Sequence, residues 1–175
     1  MRKFVMTLAL ISIVAIPAAA QSIRIDFPDL EDRAEEVVDV TLDADMLRLG
    51  AKFLSGDDEG ERAVRDMVKN LEGIYVRSYE FSKDGQYDHR GLVDRVKSQL
   101  GATWKPLVTV RSKTKENVNI WADMRGDRVV GLVIVAAEPH EFTVVNIVGP
   151  IDIDRLAALE GQFGIPKISK ERNRD

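Results

Sequence analysis

The sequence contains no cysteine, and this absence limits what the chain can be. Without thiols there is no disulfide framework, no cysteine nucleophile and no zinc site built on thiolates. A lipoprotein anchored through an acylated Cys is excluded for the same reason. The stability of the fold must therefore come from a hydrophobic core, which 175 residues are enough to build.

Residues suited to catalysis or metal binding are also scarce. The chain has two histidines, of which His89 falls at a predicted helix start and His140 in a predicted loop. No Gly-x-Ser-x-Gly nucleophile turn accompanies them. With Glu138 and Glu141, His140 makes only a loose set of surface ligands, short of the compact set that zinc requires. We predict no catalytic residue, no metal and no cofactor.

Three further motifs favour loops and turns over binding sites. The glycines are scattered, so no phosphate-binding loop is present. The acidic run from Asp57 to Glu61 lacks the ligand spacing of a calcium loop and is typical of a solvated connection. Arg125-Gly126-Asp127 matches a cell-adhesion tripeptide, but a tight turn between two strands explains it better.

Only the N-terminus carries a targeting pattern. Arg2 and Lys3 precede thirteen uncharged residues, Phe4 to Ile16, and small residues follow up to Ala20. This pattern predicts a signal peptide over residues 1–20 with cleavage near Ala20. The apolar run is shorter than the ~20 residues that span a bilayer, and no later run is long enough. We therefore expect a periplasmic or secreted protein with no transmembrane span in the mature chain.

The remaining residues have 23 Lys and Arg against 29 Asp and Glu, a net charge of −6. An acidic chain lacks the basic surface that nucleic acids and anionic lipids attract. We divide it into an acidic lead-in over residues 21–36, a single domain over 37–166 and a charged tail over 167–175.

Hydrophobic periodicity predicts an α+β fold. Val38, Val40 and Leu42 alternate with polar residues as in a strand, and Met46, Leu49 and Phe53 share one face of the helix that follows. Further helices are predicted near residues 61–71 and 88–100. We expect a mainly antiparallel sheet of about five to six strands, including a C-terminal four-strand meander. Three to four helices should pack on one face of this sheet.

The stretch from Arg128 to Gly149 predicts the central hairpin, and apolar residues occupy odd and even positions alike. Such a strand is covered on both faces. If helices cover one face, the lead-in, a second copy of the chain or a partner must cover the other. Four aromatic residues are candidates for an interface there, although they also suit a core: Tyr75, Tyr79, Phe81 and Trp121.

One amide interrupts the hairpin. Asn146 lies inside an apolar strand, and a buried amide has to be hydrogen-bonded. We interpret it as a structural polar residue with a partner near Asp152, the predicted cap of a short C-terminal helix.

Two segments carry a family resemblance: VTLDADMLRLGAKFL and VVGLVIVAAEPHEFTVVNIVGPIDIDRLAAL. They resemble an exported bacterial family, domain of unknown function 4252, from about Val38 to Pro166. The resemblance implies the fold and the compartment. It implies no activity and no catalytic residue, because the family has none assigned.

These observations favour a non-enzymatic interaction module of the cell envelope, which binds an unknown envelope protein or itself. The alternative is a module for a small ligand or lipid, with a pocket around Met46, Phe53 and Met67. An enzyme comes third, since it would need a convergent polar cluster in a cleft.

Overall fold

The computed structural model describes residues 25–54, 59–82, 87–112 and 117–152. The predicted signal peptide, the helix predicted after Asp152 and the charged tail lie outside these ranges. The described residues form four helices and six strands, in the order α1 (Pro28–Glu31), β1 (Glu36–Asp43), α2 (Ala44–Ala51), α3 (Glu59–Val68), β2 (Gly73–Glu80), α4 (His89–Gln99), β3 (Trp104–Val110), β4 (Asn117–Arg125), β5 (Arg128–Ala137) and β6 (Glu141–Ile151).

The six strands form one antiparallel sheet in the order β1-β2-β6-β5-β4-β3. Strands β3 to β6 form the predicted C-terminal meander, in which each strand lies beside the next along the chain. The remaining two strands extend the sheet on the β6 side, so β1 and β3 are its edges. The α+β class, the mainly antiparallel sheet and the meander are confirmed.

The first face of the sheet is covered by the lead-in and α4. Alternate residues of β2, β4, β5 and β6 point to this face and form one core cluster with side chains from residues 25–30 and from α4. Phe27 and Leu30 are almost completely buried there. The structured unit therefore begins before the predicted boundary at residue 37, because the lead-in supplies core residues.

The second face is covered in part by α2 and α3. Leu47 of α2 and Leu71 after α3 pack with Leu132 and Ile151 in a separate core cluster. The helices thus lie on both faces of the sheet, which differs from the prediction that they share one face. The physical reason lies in the central strands, which are apolar on both sides and need cover on both.

Helix α2 has a different inward face from the predicted one. It starts directly after β1, and the Asp43 side chain caps it by accepting a hydrogen bond from the Met46 amide at 2.9 Å. This tight junction fixes the rotation of the helix and turns Leu47 and Ala51 inward. The residues predicted to face the core are exposed instead, at 52% for Met46, 49% for Leu49 and 83% for Phe53.

Strand β6 continues beyond the break predicted at Gly149-Pro150. The register of β5 with β6 shifts between Val129 and Gly131, and the strand then runs on to Ile151. Gly149 has φ +128°, and a Cβ on it would lie 2.9 Å from the backbone nitrogen of Glu72. Glycine therefore permits both an unusual backbone conformation and the close approach of the α3–β2 connection.

Candidate interaction surface

The four aromatic residues predicted for an interface do not share one exposed surface. Tyr79, Phe81 and Trp121 belong to the first-face core, with exposed fractions of 0%, 1% and 7%, and Tyr75 is half-buried. The ring of Phe81 stacks on Tyr87 with centroids 4.8 Å apart. The lead-in and the start of α4 close over these rings, so the structure places them in the core.

Arg77 of β2 fastens the lead-in to the sheet. Its guanidinium contacts Asp26 at 2.5 Å and Glu31 at 2.6 Å in the lead-in, and Asp39 of β1 at 2.6 Å. Hydrogen bonds to Tyr79 and Asp39 raise the pKa of Arg77 above its already high ordinary value. One cation thus gathers three carboxylates from two chain segments.

Arg95 of α4 makes the second connection to the lead-in. Its two terminal nitrogens each donate to one oxygen of Asp29 at 2.8 Å, and its Cζ lies 4.7 Å from the centre of the Phe27 ring. The hydrogen bond from Arg95 lowers the pKa of Asp29. Sequence reasoning missed both arginines. The acidic composition of the lead-in was the available signal, since carboxylates near an apolar core need cations to pair with.

A small cleft opens beside the Arg77 cluster. Its volume of about 30 Å³ holds one or two water molecules, far below the several hundred Å³ of a typical ligand pocket. It is lined by residues of the lead-in, β1, β2 and β6: Ile25, Asp26, Asp39, Thr41, Tyr75, Val76, Arg77, Val144 and Asn146. Of the three residues predicted to surround a ligand pocket, Met46, Phe53 and Met67, the first two are exposed, at 52% and 83%.

Asn146 is buried, with an exposed fraction of 3%, and lies between Tyr75 and Val133 in the register. Its predicted partner near Asp152 stays a prediction, because most of that region lies outside the described residues. Asp123 is a second buried polar residue, which the sequence did not single out. Its Oδ2 atom lies 3.6 Å from Arg125, and its exposed fraction is 7%.

The second face carries a surface that we call the apolar band. Two transverse rows of side chains follow the strand register across all six strands, on the same face as the α2–α3 core cluster. Ten of the twelve residues are aliphatic, and the rows are Val40–Val76–Val145–Ile134–Ile120–Val108 and Val38–Ser78–Thr143–Ala136–Val118–Val110.

Little of the described chain covers the apolar band. Helices α2 and α3 pack over the neighbouring row, which includes Leu42, Ile74 and Ile147. Within the band, only Ile120 packs against either core cluster of the described residues. Val38 and Val110, at its two ends, are 41% and 48% exposed, and the residues between them are half-buried.

A row of carboxylates borders the apolar band on the side away from α2 and α3. Glu36, Glu80 and Glu141 are aligned across β1, β2 and β6, and all three are exposed. No Lys or Arg of the described ranges forms a salt bridge with any of them. Like charges opposite each other weaken strand pairing, so this carboxylate row costs stability.

Neighbouring hydroxyls hold one member of the carboxylate row in place. Ser78 and Thr143 of the band donate hydrogen bonds to the Glu141 carboxylate at 2.6 and 2.7 Å. These bonds favour the charged form and lower the pKa of Glu141. Glu141 is therefore negatively charged at neutral pH, at the border of the apolar band.

Among the described residues, no three His, Cys, Asp or Glu side chains are placed so that they could hold a metal ion together. His89 lies beside the ring of Tyr87, with centroids 4.2 Å apart, and His140 is exposed between β5 and β6. Within the same ranges no helix is long and apolar enough to cross a membrane.

The family model for Domain of unknown function (DUF4252) matches residues 31–159, which is most of the chain. The chain belongs to the DUF4252 family. Its matched region includes every strand of the sheet, the apolar band and the carboxylate row. No curated protein and no solved structure matches the chain.

Proposed function

We propose that this DUF4252 protein is a non-enzymatic protein-interaction module of the cell envelope, exported through its N-terminal signal sequence. The observation that carries the proposal is the apolar band, which crosses all six strands. Helices α2 and α3 cover the neighbouring part of the same face but leave most of the band uncovered. The largest apolar patch on a protein surface typically measures a few hundred Å², and it is often a functional site.

The geometry of the described residues gives less support to the other two hypotheses. A ligand module needs a cavity, and the cleft beside Arg77 has room for only one or two water molecules. An enzyme needs convergent polar groups around a substrate site. The strongest polar cluster, at Arg77, is instead formed of ion pairs that hold the lead-in against the sheet.

Photocrosslinking in intact cells tests the proposal. A photoreactive residue replaces Val76, the β2 residue of the first row of the apolar band. In a matched strain it replaces Thr109, an exposed β3 residue outside the band. We expect the Val76 position to capture one discrete envelope protein that Thr109 does not capture. The proposal fails if Val76 captures no protein, or only the proteins that Thr109 also captures.

A further inference from the structure

The dimensions of the apolar band indicate the shape of what it binds. Six strands at a spacing of about 4.8 Å give the band a length of about 24 Å. Two rows, each about 6.7 Å along the strands, give a width of about 13 Å. An α-helix with its side chains is about 10–12 Å wide, and about 16 helical residues span 24 Å.

The area of the band argues against a stable dimer built on this face alone. A surface of about 300 Å² is well below the roughly 800 Å² that each partner contributes to a standard protein interface. One amphipathic helix needs no more than such a strip, because only its apolar stripe is buried.

The carboxylate row indicates the charge of that helix. Glu36, Glu80 and Glu141 border the apolar band along β1, β2 and β6 and have no salt bridge to a described Lys or Arg. A helix that lies in the band places its polar flank against this row. Lys or Arg on that flank relieves the repulsion between the aligned carboxylates, whereas an anionic membrane surface is repelled by them.

We infer that the apolar band binds a basic amphipathic helix of about 16 residues from a partner protein, with its cations against the carboxylate row. This inference rests on the proposed function and specifies its partner. Apolar contact supplies affinity, and the row sets the orientation and the preference for positive charge.

A charge-swap experiment on the full mature chain tests the inference. The probes are two fluorescent 18-residue peptides with the same leucine stripe, one with lysine and one with glutamate at the polar positions. We expect the lysine peptide to bind at least about tenfold more tightly and its affinity to fall with added salt. The double substitution Glu36→Lys with Glu80→Lys should reverse this preference.

The matched control makes the same charge change at the opposite end of the sheet. Glu72→Lys with Asp127→Lys alters two exposed carboxylates outside the row and should leave the preference unchanged. Val38→Asn places a polar, uncharged side chain in the band at a 41% exposed position, where the fold tolerates it, and should weaken binding of the lysine peptide about tenfold.

The outcomes separate the inference from the proposed function. If Val76 captures an envelope protein but the two peptides bind equally, or the double substitution changes nothing, the inference fails and the proposed function stands. Crosslinks from Val76 to a second copy of the chain, or to residues 153–175 of the same chain, overturn the inference by identifying another occupant. Tight binding to vesicles rich in anionic phosphatidylglycerol also contradicts it.

Discussion

The ring of Phe27 meets the ring of Phe142 edge to face, with centroids 5.4 Å apart and an interplanar angle of 82°. This contact joins the acidic lead-in to the beginning of β6, where Phe142 is completely buried. Phe27 also lies edge-on to Tyr79, at 6.2 Å, and beneath the guanidinium of Arg95. A segment that composition marks as peripheral is therefore a structural part of the first-face core.

Replacing Phe27 with alanine should lower the free energy of unfolding by about 3–5 kcal/mol, because it opens a cavity among buried aromatic rings. The matched control is Phe53→Ala, which removes the same atoms from a side chain that is 83% exposed. That variant should change stability by less than about 0.5 kcal/mol. Urea unfolding followed by circular dichroism measures both, and equal losses would show that the lead-in does not complete the core.

Gly149→Ala should destabilise the protein by several kcal/mol. The substitution combines a φ of +128° with a Cβ placed 2.9 Å from backbone atoms of Leu71 and Glu72, which cannot move aside as a side chain would. Gly50 is the control, since a Cβ there meets nothing within 4 Å and the residue lies in α2. Gly50→Ala should raise the free energy of unfolding by up to about 1 kcal/mol. A Gly149→Ala variant of unchanged stability would contradict the close approach of Leu71 and Glu72 to Gly149.

Tyr87 should make the protein sensitive to alkaline pH. Its buried hydroxyl donates to the backbone carbonyls of Glu138 and Glu141, the latter at 2.7 Å, and burial raises its pKa above the ordinary value. The stability that this shift contributes is complete below about pH 10, the pKa of tyrosine in the unfolded chain. It is lost as the pH rises from there through the higher pKa of Tyr87 in the folded protein. The expected loss above pH 10 approaches about 1.4 kcal/mol per pH unit.

Tyr87→Phe should flatten this part of the pH profile. It should also lower stability at pH 8 by about 1–2 kcal/mol, because the hydroxyl's hydrogen bonding to the two carbonyls is lost and only Glu141 keeps another donor, the Glu138 amide. Tyr75→Phe is the control, because the Tyr75 hydroxyl makes no hydrogen bond to a described residue. Urea midpoints at pH 8 and pH 11 give the comparison. An alkaline loss that persists unchanged in Tyr87→Phe would rule out Tyr87 as its source.

Glu141 should titrate below the ordinary glutamate pKa of about 4.3. The hydrogen bonds from Ser78 and Thr143 lower the pKa of Glu141 in the folded protein. The stability that they contribute is therefore complete above the ordinary pKa, and it is lost as the pH falls through the pKa of the folded protein. Carbon-detected NMR titration should show a low pKa that moves back up in Ser78→Ala with Thr143→Val. An unchanged Glu141 pKa in the double variant would contradict the role of the two hydroxyls.

Several elements could be predicted because their information is local. Asp43 and Asp88 precede α2 and α4 and cap them by side-chain hydrogen bonds, as their positions before helical patterns suggest. The hairpin of β5 and β6 follows from two apolar runs joined by a short polar break. The rotation of α2 did not follow from its sequence, because Met46, Leu49 and Phe53 satisfy the helical period as well as Leu47 and Ala51 do.

The sequence by itself determined the α+β class, the antiparallel meander and the need to cover both faces of its central strands, because these properties depend on the period and length of apolar runs. Tertiary structure alone decided what covers each face. The lead-in reaches the first face because Arg77 and Arg95 pair with its carboxylates from distant parts of the chain. The apolar band and the carboxylate row exist only because the strand register aligns residues from separate strands. The sequence of a single strand does not contain that register.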